Sequence, residues 1–143
     1  MKGEEGFALL ERLAEKIGGE VACTRPCVDA GWMLPTQQVG QSGISVKPKL
    51  YLAFGIAGAI QHMTGIDADC IISVNNNPRA AIFAYSDYGV VSDAKKLLES
   101  MLKQVKKGKN SYKNRKICCV FDFDTQHKVF QKMSSRLENF GWY

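Results

Sequence analysis

Apolar residues recur at steps of three and four from Glu5 to Ile17, with Phe7, Leu10, Leu13, Ala14 and Ile17 on one side and Glu11, Arg12, Glu15 and Lys16 on the other. That spacing predicts an amphipathic helix lying on a core. Gly18 and Gly19 end it, because glycine reaches the left-handed conformation that a C-terminal cap wants. Glu20 to Thr24 reads as a short strand, Arg25-Pro26 as a turn whose proline suits a first helical position, and Cys27 to Trp32 as a stub of helix. After an irregular stretch from Met33 to Gln41, the continuous apolar runs Leu50 to Phe54 and Cys70 to Val74 have the pattern of strands covered on both faces. Gly58 to Met63 between them reads as a helix and Ala81 to Tyr85 as a further strand. Ser92 to Gln104 is a helix with Ala94, Leu97, Leu98, Met101 and Leu102 on one side. Strands alternating with helices imply α/β layering with right-handed crossovers.

Composition narrows the class. With 143 residues and 45% apolar side chains the chain suits one domain of ordinary size. No apolar run approaches the roughly 20 residues that span a bilayer, so membrane insertion is not expected. The start, MKGEEGFALLERLAEK, is acidic and amphipathic where a secretory signal would be basic and then apolar. Five cysteines without periodic spacing suit a reducing compartment, the cytoplasm or an organelle matrix. Cys23, Cys27, Cys118 and Cys119 have only His62 and His127 for company, neither at zinc-motif spacing, so no metal site is expected.

The net charge of +5 is unevenly placed. Residues 1–104 carry 10 basic and 11 acidic side chains, whereas 105–143 carry 9 and 3, so the whole surplus lies in the last part of the chain. A boundary near Val105 follows, marked by the polar K-K-G-K-N-S of Lys106 to Ser111, giving 1–104 as one domain and 105–143 as a basic tail. Only scattered aromatics accompany its lysines, which favours a solvated tail over a nucleic-acid-binding arm.

Gln38 to His62 carries the chemistry. A Gly-rich loop (Gln38, Val39, Gly40, Gln41, Ser42, Gly43) precedes the Leu50 to Phe54 strand, and Gly55, Ala57, Gly58 and Ala59 lead into a helix ending in Gln61 and His62. A strand giving way through glycine to a helix N-terminus attracts anionic phosphate. By spacing alone G-I-A-G-A is not the six-residue dinucleotide fingerprint. In order along the chain, however, QVGQSG, K-P-K-L-Y-L-A (Lys47 to Ala53), GIAGAIQH, N-N-N-P-R-A-A-I-F (Asn75 to Phe83) and S-D-Y-G (Ser86 to Gly89) closely resemble the FAD-binding domain of the electron-transfer flavoprotein α-subunit. The likeness covers residues 1–104.

The resemblance implies a three-layer Rossmann-like parallel sheet with helices on both faces. It also implies FAD as cofactor and an electron carrier rather than an enzyme with its own substrate. Its β-subunit would be the partner in a heterodimer, and flavin dehydrogenases such as the acyl-CoA dehydrogenases of fatty acid β-oxidation the electron donors. Location would be bacterial cytoplasm or mitochondrial matrix. The resemblance places Arg25 beside the isoalloxazine and Ser42, a threonine in most of the family, at flavin N5, where a hydroxyl can both give and accept. Gln41 and Gln61 could bond the ribityl chain or the pyrimidine edge, or face solvent. His62 would donate to the O2 side of the flavin, and Asn75 and Asp87 would meet the adenosine half.

Departures accompany the match. Ala57 stands where the family commonly has serine, and Asn76, Asn77, Arg79 and Ala81 replace the usual acidic and proline-bearing loop. Met1-Lys2-Gly3 is similar to what directly follows the family's G-G-R-G phosphate loop. The sheet is thus expected to lack its first strand, as well as the N-terminal domain that contacts the β-subunit. A missing central strand exposes two buried edges, each unpaired backbone group costing about 1–3 kcal/mol. The alternative to an electron carrier is therefore a remnant or interaction fragment binding FAD weakly or not at all. The strand-like run Ile117 to Phe123, ICCVFDF, either docks on those edges or stays apart, the second being favoured.

Overall fold

Side chains of Leu50–Phe54 (strand β2) alternate between two cores. Leu50, Leu52 and Phe54 join a cluster with Phe7, Leu10, Leu13, Leu97, Leu98 and Met101, whereas Tyr51 and Ala53 pack with Val39, Ile56, Met63 and Ile82. All five are buried, because a strand with two covered faces has no side left for polar residues. The structure, a computed structural model, describes residues 2–105 and the backbone of residues 117–121. Its remaining elements are α1 (Lys2–Ile17), β1 (Glu20–Cys23), α2 (Arg25–Asp29), α3 (Ile60–Met63), β3 (Cys70–Asn75), β4 (Tyr88–Val91), α4 (Ala94–Gln104) and β5 (Ile117–Phe121). Helices α1 and α4 cover one face of the sheet; α3, a 3₁₀ turn at Ala81–Tyr85 and the loops that follow the strands cover the other. The expected α/β, three-layer, Rossmann-like arrangement is present.

The sheet runs β1-β5-β2-β3-β4 and every pairing is parallel. As expected, no strand precedes α1 among the described residues, but the two open edges expected in its place are corrected here. β5 lies between β1 and β2, from Glu20 opposite Cys118 to Cys23 opposite Phe121 on one side, and from Leu50 opposite Ile117 to Phe54 opposite Phe121 on the other. The favoured outcome, a tail that stays apart, is likewise overturned. The reason is physical: two buried edges that would otherwise leave N–H and C=O groups unpaired give a β-rich segment nine backbone partners, four on β1 and five on β2, against a loop-closure entropy that grows slowly with length. β5 thus lies beyond the charge boundary near Val105 yet in the same sheet, and Val105 itself is buried against the α1–α4 core.

Ala81–Tyr85 is a 3₁₀ turn rather than the expected strand. Only Ile82 of that segment is fully buried, its N–H donating to the Ala57 carbonyl at 3.0 Å, so the run clamps a turn instead of crossing a sheet. The strand at this edge of the sheet is β4, which buries only Val90 and therefore shows no apolar run. Gly89 lies under the Phe83 ring, where a Cβ would come within 2.5 Å of Cδ1.

One ion pair crosses the α1–α4 contact, Glu5 to Lys95 at 2.7 Å. The hydrogen bond from Lys95 holds the Glu5 carboxyl below its ordinary value of 4.5, and the same bond raises Lys95. A depressed carboxyl adds stability above that value and loses it as pH falls through the folded one; the raised ammonium adds stability below its ordinary value and loses it at high pH. Both groups are solvated, so the contribution is small. Glu5→Gln should leave the thermal midpoint at physiological salt nearly unchanged while removing a shallow acid limb, as measured by calorimetry at neutral and acid pH. A drop like that of a core truncation would contradict this.

Candidate functional site

Parallel strands deliver their loops to one end, and there β1 and β2 open into a cleft of about 350 Å³. Its walls are Thr24 to Pro26 after β1, Gln38 to Ser42, Ile56 to Ala59 after β2, and Gln61 and His62 of α3. That volume is at the low end of the roughly 300–1,000 Å³ usual for ligand sites.

Backbone bonds hold the walls. The Val39 N–H donates to the Cys23 carbonyl at the end of β1 (3.0 Å), and the Gln41 N–H donates to the Gln61 carbonyl (2.6 Å), tying the Gly-rich loop to α3. Gly40, at φ +136°, passes so close to α3 that a Cβ would lie 2.5 Å from the Gln61 carbonyl oxygen. On the facing wall Gly58, at φ +90°, presses against the backbone of Ile82. Helix α3 starts at Ile60 directly after that turn. The His62 and Met63 N–H groups of this short helix both donate to the Ala59 carbonyl, at 2.9 and 3.0 Å, which fixes its start beside the cleft.

His62 is 6% exposed. Its Nδ1 is 3.0 Å from the Val39 carbonyl and its Nε2 is 2.5 Å from the Tyr51 hydroxyl. A carbonyl only accepts, so Nδ1 carries a proton; in the neutral ring Nε2 then accepts from the Tyr51 O–H. Both ring nitrogens are thus engaged within the protein, Nδ1 with Val39 and Nε2 with Tyr51. Arg25 stands at the rim, two-thirds exposed and 3.7 Å from Asp29. Gln41, Ser42, Ala57, Ala59 and Gln61 are exposed to the cleft, and Gln38, Val39, Gly40 and Gly58 form its buried frame.

Four expected residues lie outside the cleft lining. Gly43 and Gly55 shape the backbone behind it: a Cβ on Gly43 would meet the Gln38 carbonyl at 2.2 Å, and the Gly55 N–H donates to Val74. Asn75 acts as a bracket. Its amide donates to the Ile56 carbonyl (3.1 Å) while its oxygen accepts from the Asn77 N–H (2.9 Å), so both ends of the side chain brace the turns. Asp87 is a correction. Because Ala81–Tyr85 is not a strand, Asp87 precedes β4 and sits at the amino end of the sheet, its carboxylate accepting from the Ile71 N–H at 2.8 Å. At the carboxyl end of β4 stand Ser92 and Asp93 instead; the Ser92 N–H donates to the Asn75 carbonyl, and Asp93 caps α4 through the Lys96 N–H. A Ser-Asp pair before an amphipathic helix is an N-cap signal that could have marked this corner. Tyr51 was legible only as a core aromatic. Among the described residues no cluster of His, Cys, Asp or Glu could hold a metal.

A parallel sheet with a cleft beyond its carboxyl ends, walled by a Gly-rich loop and a glycine turn, has the arrangement of a Rossmann-like domain. Residues 1–67 match the family described as the electron transfer flavoprotein FAD-binding domain. Similar proteins include the electron transfer flavoprotein subunit alpha of Thermoanaerobacterium thermosaccharolyticum, 45% identical over 106 residues, which are 73% of this chain and 32% of that protein. The mitochondrial electron transfer flavoprotein subunit alpha of Oryza sativa subsp. indica is 47% identical over 73% of this chain and 30% of its own length. Protein FixB of Azotobacter vinelandii is 47% identical over 74% of this chain and 30% of its own. The chain belongs to the electron transfer flavoprotein α-subunit family, through its FAD-binding domain. It spans about a third of the length of the curated relatives it matches.

Proposed function

We propose that this chain is the FAD-binding part of an electron carrier that works with a β-subunit, taking electrons from flavin dehydrogenases such as acyl-CoA dehydrogenases and passing them to a downstream acceptor. The observation that carries the reading is the facing pair of walls: the Gln38–Ser42 loop and the Gly58 turn are held apart by backbone contacts at which Gly40 and Gly58 leave no room for a Cβ. Such a cradle suits close approach of a phosphate or a planar ring. The residues fit FAD: Ser42, Gln41 and Gln61 supply neutral donors and acceptors at the cleft, and Arg25 a cation at its rim. When bound, the flavin supplies the redox chemistry, and the protein binds, orients and screens it. Ala57 contributes no hydroxyl, leaving that work to the backbone. The chain is read as a carrier without a substrate of its own, of the bacterial cytoplasm or the mitochondrial matrix. No described helix is long and apolar enough to cross a membrane.

The donor class is tested by mixing the FAD-loaded chain and a β-subunit with substrate-reduced acyl-CoA dehydrogenase under anaerobic conditions. Bleaching of the carrier's flavin absorbance is expected, and an unchanged spectrum would contradict that donor. His62→Ala should keep FAD bound but lower its midpoint potential, since a group able to hold positive charge beside the reduced, anionic flavin is gone. Redox titration against reference dyes checks this, and an unchanged midpoint counts against it.

A further inference from the structure

We infer that Tyr51 is a positioning residue for His62, its phenol serving as a reversible partner that lets the ring be held in one place whether neutral or charged. The inference rests on the cleft being the cofactor site proposed above. Tyr51, the second residue of β2, has none of its surface exposed, so its ring cannot swing; only the hydroxyl hydrogen can turn. In the neutral state Tyr51 donates to Nε2 while Nδ1–H donates to Val39. When a proton from solvent adds to Nε2, the Tyr51 hydroxyl hydrogen rotates away and its oxygen accepts from Nε2–H, with the Nδ1–H bond to Val39 unchanged. One proton enters, no electrons move within the pair and no heavy atom shifts. The bond to the charged ring is charge-assisted and so the stronger of the two, which means Tyr51 favours the imidazolium. The cleft can thereby answer negative charge on its ligand by taking up a proton at a fixed position.

Among the described residues, the other elements around the ring bring little competing charge. β2 contributes Tyr51, the Gln38–Ser42 loop contributes amides, a hydroxyl and backbone, α3 contributes Gln61, and Arg25 stands at the rim of the same cleft. Neither wall of the cleft carries a carboxylate.

The test uses nitrogen NMR of the full chain without FAD, labelled at histidine, with His127→Gln assigning the two rings. At a pH about 8, above the ordinary histidine range, His62 should show a protonated Nδ1 and an accepting Nε2, the reverse of the tautomer that free histidine prefers. An Nε2–H tautomer in the wild-type chain would overturn the inference. Tyr51→Phe keeps the ring's volume and should raise the proton dissociation constant of His62 about fivefold or more, the scale of one charge-assisted bond over a neutral one. An unchanged titration in a folded variant would show Tyr51 to be packing alone and overturn the inference as well. Should Tyr51→Phe not fold, the wild-type tautomer decides. Because these readings need no cofactor, failure of FAD to bind leaves them intact and strikes only the functional proposal.

Discussion

Cys119→Pro should abolish the cooperatively folded sheet, or cost it about 3 kcal/mol or more in denaturant unfolding followed by circular dichroism. Residue 119 is the middle of β5, opposite Val21 on one side and Leu52 on the other. Proline there removes a backbone N–H from a strand bonded on both edges, and proline is confined in sheets to edge strands and bulges because a central position needs that donor. The loss spreads, since β1 is joined to the rest of the sheet through β5. With it goes the cleft, whose walls begin at the carboxyl ends of β1 and β2. A chain ending after residue 124 keeps β5 and should keep the wild-type midpoint, which separates the strand's effect from that of the residues after it. Hydrogen exchange gives the same answer without mutation: amides of Ile117 to Phe121 should be protected with the core. A proline variant as stable as the wild type, with those amides exchanging as in a free peptide, would show that β5 does not pair.

Gly58→Ala should cost about 3 kcal/mol or more and weaken FAD binding at least about tenfold, because two penalties coincide. The residue sits at φ +90°, which side chains rarely adopt, and the added Cβ would lie 2.3 Å from the Ile82 nitrogen and 2.5 Å from its Cα. Neither neighbour is the end of a flexible side chain. Ile82 is fully buried and its N–H is bonded to Ala57, so relief of the clash displaces the turn that walls the cleft. Calorimetric titration with FAD beside an unfolding curve separates the two effects. Gly31 provides the comparison, with φ +77° and nothing within 4 Å of an added Cβ. Gly31→Ala should show the backbone penalty alone and leave FAD affinity unchanged.

What the sequence disclosed follows from how each feature is encoded. β2 and β3 were legible because a strand covered on both faces must be continuously apolar, and α1 and α4 because one side of each meets a core. β4 was not, since an edge strand that buries only Val90 leaves no apolar run, and the apolar content of Ala81–Tyr85 belonged to a turn. That error moved Asp87 to the wrong end of the sheet. The place of β5 could not be read from its own residues, because ICCVF states that a segment suits a sheet interior but not which edge it meets; topology supplies that. At the cleft the glycines and His62 stood out from their order along the chain. The partner of His62 did not, since Tyr51 lies inside an apolar run where an aromatic reads as core, and only the fold brings its hydroxyl to Nε2.

The most direct measurement of the account is the absorption spectrum of the purified chain after mixing with excess FAD and desalting. The completed sheet and the glycine-walled cleft predict stoichiometric flavin retained with the protein, its bands shifted from those of free FAD, in the wild type and in the chain ending after residue 124. A folded protein that leaves the column colourless would contradict it.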